Sequence, residues 1–85
     1  MILVRCLGHI GTSVGKSEVA LEGEDLDGGE IVERLRRISG KPDPGFTKYN
    51  TLIMVEDGEV FVTASAERKV RGGERVVLIP FSHGG

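Results

Sequence analysis

Near its carboxyl end the chain reads Arg75-Val76-Val77-Leu78-Ile79-Pro80-Phe81, an apolar run that predicts a β-strand. Side chains of a strand alternate between its two faces, so Val76 and Leu78 point to one side and Val77 and Ile79 to the other. A single helix can cover only one side of a sheet. The second face is therefore covered by loops, or it presents an apolar patch that a partner covers.

Directly after this strand the chain ends in Ser82-His83-Gly84-Gly85. Glycine has no Cβ, so two glycines at a free end form a thin, pliable segment that a narrow active site can enclose. Chain ends usually fray, and Gly-Gly also occurs at 28/29 and 72/73, so composition alone explains such a pair. Its position behind an apolar strand favours a functional end, and we expect the chemistry at the carboxyl group of Gly85.

The clearest helix signal is a capping box formed by Asp27 and Glu30, with Gly40 placed to end the helix. Between these points apolar residues recur at helical spacing, and oppositely charged residues four apart are predicted to pair on the exposed side. The apolar set is Ile31, Leu35 and Ile38, and the charged pairs are Glu30/Arg34 and Glu33/Arg37. The loop 41–45 contains two prolines, which cannot continue a helix.

Two strands are predicted before the helix. Residues 1–10 and 17–21 read as a hairpin joined by the turn cluster 11–15. Three strand-like runs follow the helix. They comprise residues 51–55, then 60–62 after the hairpin signal Asp57-Gly58, and the last strand after a polar connection over 64–71 and a Gly72-Gly73 turn. This order predicts a single α+β domain.

Size and charge narrow the function classes. The chain has 85 residues and 9.2 kDa, which leaves little room for an enclosed active site, so an enzyme acting unaided is disfavoured. It carries 11 Lys and Arg against 13 Asp and Glu, with no strongly basic stretch, which argues against nucleic acid as a partner. No segment approaches membrane-spanning length, and the single Cys6 forms no internal disulfide. We expect a cytoplasmic protein with no membrane partner.

Two motifs suggest other chemistry and are better explained by structure. The run Gly11-Thr12-Ser13-Val14-Gly15-Lys16-Ser17 resembles a phosphate-binding loop, but it has three residues instead of four before Gly-Lys-Ser, and a strand pattern follows it. A hairpin turn explains it. Cys6, His9 and His83 match no zinc spacing. We interpret Cys6 as a buried structural residue, His9 as a strand-end side chain and His83 as a solvated tail residue, and we expect no metal site and no permanently bound cofactor.

The order of elements, together with the Gly-Gly end, resembles the ubiquitin-like β-grasp family, and most closely its MoaD/ThiS branch of sulfur carriers. The resemblance covers nearly the whole chain, with Ile2-Leu3-Val4 as the opening strand and Ile31-Val32-Glu33-Arg34-Leu35 in the helix. Its most specific part is Val70-Arg71-Gly72-Gly73-Glu74-Arg75-Val76-Val77-Leu78-Ile79-Pro80. Gly72 stands where the family often has Asp, and Phe81 replaces a second proline.

The resemblance implies a β-grasp domain over residues 1–81, with a mixed four- to five-stranded sheet and one main helix packed across one face. A flexible diglycine tail, residues 82–85, would follow. Val76 and Leu78 would face the helix, whereas Val77 and Ile79 would form a docking patch with Phe81 at its edge. Independently of the resemblance, the solvated tail residue His83 is a further candidate for contact with a partner.

The resemblance also implies chemistry that is done on the protein by others. An adenylating enzyme of the ubiquitin-activating type would use ATP to activate Gly85, with Gly84 beside it, and sulfur would then convert the carboxylate to a thiocarboxylate. The acceptor implied first is the large subunit of a molybdopterin synthase. Three alternatives remain: a protein modifier joined through Gly85 to lysines of target proteins, a sulfur carrier for thiamine or transfer-RNA thiolation, and an interaction domain with an inert tail.

Overall fold

The computed structural model describes residues 1–81, which form two helices and seven strands. Five strands make one mixed sheet in the order β2-β1-β7-β4-β5, in which β1 and β7 are parallel and the other neighbours antiparallel. Strands β3 and β6 form a separate antiparallel pair. The predicted α+β class with a mixed sheet is confirmed. The elements are β1 (Ile2–Cys6), α1 (Gly8–Val14), β2 (Glu18–Leu21), β3 (Asp25–Asp27), α2 (Gly28–Ser39), β4 (Thr51–Val55), β5 (Val60–Val62), β6 (Lys69–Arg71) and β7 (Arg75–Pro80).

One hydrophobic core lies between the sheet and the helices. Val76 and Leu78 of β7 are 2% and 0% exposed, and Leu78 pairs with the fully buried Ile53 of β4. Helix α2 contributes Leu35 to the same core, and Phe46 fills it from the loop after α2. Alternation along β7 therefore directs Val76 and Leu78 into the core, as predicted.

Helix α2 begins and ends as its sequence predicts. The backbone N–H of Glu30 donates to Asp27 Oδ1 at 2.8 Å, and the backbone N–H of Asp27 donates to Glu30 Oε1 at 3.3 Å. These reciprocal bonds satisfy two donors that the first turn of a helix leaves unpaired. At the other end Gly40 has φ 68°, a left-handed conformation that glycine adopts without a steric penalty.

The charged residues of α2 pair differently from the prediction. The guanidinium of Arg34 donates to the backbone carbonyl of Glu22, which lies just beyond the end of β2. Glu33 forms an ion pair of 3.3 Å with Arg36, three residues later, instead of with Arg37. Pairs three apart are as close on a helix as pairs four apart, so sequence spacing alone did not decide between them.

The predicted turn over residues 11–15 is wrong, because β1 ends at Cys6 and residues 8–14 form helix α1. Ile10 and Val14, four residues apart, are both buried in the core. Their burial outweighs the low helix propensity of the Gly, Thr and Ser around them. A Cβ on Gly11 would lie 2.8 Å from the carbonyl oxygen of Cys6, so glycine allows α1 to pack closely against the end of β1. Strands β1 and β2 are nevertheless antiparallel neighbours, as predicted.

A second difference concerns residues 64–71, which contain strand β6 and not only a polar connection. Val70 is fully buried and pairs with Leu26 of β3, while its neighbours Lys69 and Arg71 are exposed. One buried residue between two charged ones is too short a pattern to indicate a strand. The Asp57-Gly58 turn between β4 and β5 is confirmed, with Gly58 at φ 96°.

Candidate functional site

The described part of the chain ends where both ladders of β7 are complete. On the β1 side the last bond runs from the N–H of Leu7 to the carbonyl of Leu78 at 3.1 Å, and Pro80 has no N–H with which to add another. On the β4 side the N–H of Phe81 donates to the carbonyl of Asn50 at 3.1 Å. The central strand β7 is therefore held by hydrogen bonds up to Phe81, where the chain leaves the end of the strand.

Val77 and Ile79 lie on the side of the sheet opposite the core. The register places Val77 beside Met54 and Ile79 beside Leu52, and all four side chains are half-buried. The buried residues of both helices belong to the core on the other side, so no helix within residues 1–81 covers this surface. We call it the open face and define it by Leu3, Leu52, Met54, Val77 and Ile79.

Exposed apolar side chains also flank the end of β7. Leu7 follows β1 and is 40% exposed, and Tyr49 precedes Asn50 and is 68% exposed. The Lys48 ammonium lies 5.4 Å from the centre of the Tyr49 ring. Phe81 lies between these two sides and is half-buried. Ile79 and Phe81 thus lie near the end of β7 with apolar residues that the sequence did not indicate, whereas Val77 lies further back along the open face.

Three predicted site residues, His83, Gly84 and Gly85, lie outside the described residues. The prediction that His9 is a strand-end residue is wrong. β1 ends three residues earlier, and His9 is an exposed residue in the first turn of α1. Within residues 1–81 no cluster of His, Cys, Asp and Glu side chains is arranged to hold a metal ion.

The segment resembling a phosphate-binding loop has the wrong order of elements for that role. Helix α1 precedes Gly15-Lys16-Ser17 and strand β2 follows it. A phosphate site of that type needs the helix to begin after the glycine-rich loop, so that its free N–H groups point at the phosphates. The reversed order supports a structural role for these residues.

A shallow groove crosses the open face at the end away from Phe81. Its floor is apolar and its rim carries charges of both signs, none of which forms a salt bridge with another described residue. Four different strands and the β4–β5 turn contribute to it, so it became visible only when the sheet register was known. The floor includes Leu3, Met54 and Val77, and the rim includes Arg5, Arg75, Glu18 and Glu56.

Cys6 is buried beneath α1, and this burial raises the pKa of its thiol. We expect iodoacetamide at pH 8 to alkylate the folded protein at least ~100-fold more slowly than the protein in urea, because only opening of the fold exposes the thiolate. Equal alkylation rates in the two states would contradict the burial of Cys6.

The raised pKa of Cys6 also predicts a loss of stability at alkaline pH. Since the pKa of the thiol is higher in the folded than in the unfolded protein, the associated stability is fully present below about pH 8.5 and is lost as the pH rises further. Urea unfolding from pH 7 to 10, with Cys6→Ala as control, measures this loss.

No helix within residues 1–81 is long and apolar enough to cross a membrane. Comparison with protein-family models, with curated proteins and with solved structures found no match.

Proposed function

We propose that this chain is a ubiquitin-like sulfur carrier of the MoaD/ThiS kind, built on a β-grasp fold. The observation that carries the proposal is the central strand β7, which is parallel to β1 and makes its last hydrogen bond through Phe81, four residues before Gly85. The order β2-β1-β7-β4-β5, with α2 across one face, also supports the β-grasp arrangement. The first and last strands of that fold lie side by side at the centre of the sheet.

The proposed chemistry takes place at the carboxyl group of Gly85. A carboxylate is a poor acyl donor, so an activating enzyme joins it to AMP from ATP and releases pyrophosphate. The terminal sulfur of a cysteine persulfide then attacks the acyl carbon, and AMP leaves. A thiol reduces the resulting acyl disulfide to the thiocarboxylate. The acceptor proposed first is the large subunit of a molybdopterin synthase.

In this scheme the folded domain docks on the surface of the activating enzyme and positions the tail. Fully extended, the four residues after Phe81 reach roughly 13 to 14 Å, enough to enter a tunnel while the domain docks outside it. Docking would use Val77 and Ile79 of the open face, and Phe81 and His83 near the tail. A half-buried apolar surface without a covering helix supports this assignment, because monomeric proteins rarely leave large apolar patches without a partner.

Mass spectrometry of the intact protein tests the proposal. After incubation with ATP, a persulfide sulfur donor and an activating enzyme of the MoaD type, we expect a gain of about 16 Da, as one carboxyl oxygen is replaced by sulfur. A variant lacking Gly85 should show no gain, whereas the matched tail variant Ser82→Ala should behave like the wild type. An unchanged wild-type mass, or an equal gain without Gly85, would refute the proposal. ATP-dependent conjugates on lysines of other proteins, with no thiocarboxylate, would favour the protein modifier.

A further inference from the structure

Strand β2 forms one edge of the five-stranded sheet and has no strand partner on its outer side within residues 1–81. The N–H of Cys6 donates to the carbonyl of Ser17 at 2.8 Å, so Ser17 faces β1. Antiparallel residues alternate, so Val19 and Leu21 also bond to β1, while Glu18 and Ala20 direct their N–H and C=O groups outward. Both outward residues are exposed. β2 therefore presents two outward residues with uncovered backbone groups.

The opposite edge of the sheet is less open. β5 has only three residues. By the same alternation, Val60 and Val62 direct their backbone N–H and C=O groups away from β4. The carbonyl of Val62 already accepts a hydrogen bond of 3.0 Å from the N–H of Ser65, within a turn that closes this end of the edge. Short edges closed by turns resist the addition of a further strand. Of the two edges of the five-stranded sheet, β2 is therefore the one more open to pairing.

Oppositely charged residues lie at the two ends of β2. Lys16 precedes the strand and Glu22 follows it, and both side chains are exposed. The carbonyl of Glu22 accepts a hydrogen bond from Arg34, but among residues 1–81 no ion pair involves the carboxylate of Glu22 or the ammonium of Lys16. A strand with a cation at one end and an anion at the other complements a second copy of itself in the antiparallel orientation.

We propose that β2 pairs with β2 of a second copy of this chain across a two-fold axis. In the register that places Glu18 opposite Ala20, the outward groups of these residues form four interchain hydrogen bonds. The same register places Lys16 of each copy opposite Glu22 of the other. The register with Ala20 opposite Ala20 would instead set Glu18 against Glu22, and like charges directly opposite are destabilising. Charge therefore selects one register.

This pairing joins two sheets into one of ten strands. Because the axis is perpendicular to the sheet, both open faces lie on the same side, and neither Val77 nor Ile79 is covered. The contact involves few residues and buries less than the roughly 1,000 Å² of surface typical of a stable interface, so we expect weak, concentration-dependent association. The association does not depend on sulfur transfer.

Sedimentation equilibrium of the full chain, from about 10 μM to about 1 mM, measures the association. We expect dimers at the upper concentrations. Lys16→Glu and Glu22→Lys should each weaken dimerisation about tenfold or more, since each change creates two like-charge contacts. The double variant Lys16→Glu/Glu22→Lys should restore it to within about threefold, because the attraction is rebuilt with reversed signs.

Two further variants complete the test. Ala20→Pro removes an outward N–H that β1 does not use, so it should abolish dimerisation while circular dichroism shows a folded monomer. Ile79→Asp, on the open face, should leave dimerisation unchanged. A monomer at about 1 mM would overturn the proposal, and so would a double variant that dimerises no better than the single ones.

Discussion

Replacing Gly28 with alanine is expected to lower the free energy of unfolding by about 2–4 kcal/mol. The first residue of a helix normally gains stability from this change, because alanine has the higher helix propensity. Here a Cβ at Gly28 would lie 2.6 Å from both the Cα and the carbonyl oxygen of Thr63. These are backbone atoms, and the hydroxyl of Thr63 is fixed by hydrogen bonds to the carbonyls of Lys48 and Thr51 at 2.7 and 3.0 Å.

Gly29 provides the matched control. A Cβ there would lie 3.3 Å from the Lys48 side chain and from Asp27 Oδ1, and side-chain atoms can move by a few tenths of an ångström. We expect Gly29→Ala to change the stability by less than about 1 kcal/mol. Urea unfolding followed by circular dichroism compares the two variants. If Gly28→Ala were as stable as Gly29→Ala, the close approach of α2 to Thr63 would be wrong.

Strong local signals explain which elements the sequence predicted. The reciprocal hydrogen bonds of Asp27 and Glu30 and the left-handed Gly40 use chemistry that operates within a few residues, so α2 could be bounded without knowing its neighbours. The same holds for β7, where four consecutive apolar residues between Arg75 and Pro80 indicate a strand and alternation assigns its two faces.

Tertiary contacts explain what the sequence did not show. Residues 8–14 are helical because Ile10 and Val14 are buried against β1 and α2. Their sequence contains Gly, Ser and Thr, which have low helix propensity, and therefore does not indicate a helix. Strand β6 has one buried side chain, Val70, and exists because β3 lies beside it. Long-range pairing of this kind leaves no periodic pattern within either segment.

The candidate site divides along the same line. Val77 and Ile79 could be assigned to the open face from their position in one strand. The flanking residues Leu7 and Tyr49 could not, since they reach the end of β7 only through its pairing with β1 and β4.

The largest expected effect concerns two adjacent residues of β7. Leu78→Asp should unfold the protein at room temperature, because it removes a fully buried side chain and places a carboxylate in the core. The lost side chain costs about 2–5 kcal/mol and the unpaired buried carboxylate several more, and together they reach the roughly 4–13 kcal/mol of stability expected for a domain of this size. Ile79→Asp should cost less than about 1.5 kcal/mol, since Ile79 is half-buried on the open face. Urea unfolding monitored by circular dichroism measures both.

Binding to the activating enzyme separates docking from packing at the same position. If Ile79 contacts that enzyme, Ile79→Asp weakens binding about tenfold or more in isothermal titration calorimetry while the domain stays folded, because an interface cannot pair the new carboxylate. Ile79→Val keeps an apolar surface and serves as the control, with binding within about threefold of the wild type. Unfolding of Ile79→Asp would place Ile79 in the core. Normal binding by a folded Ile79→Asp would remove the open face from the docking proposal, while thiocarboxylate formation at Gly85 would still be tested by its mass change.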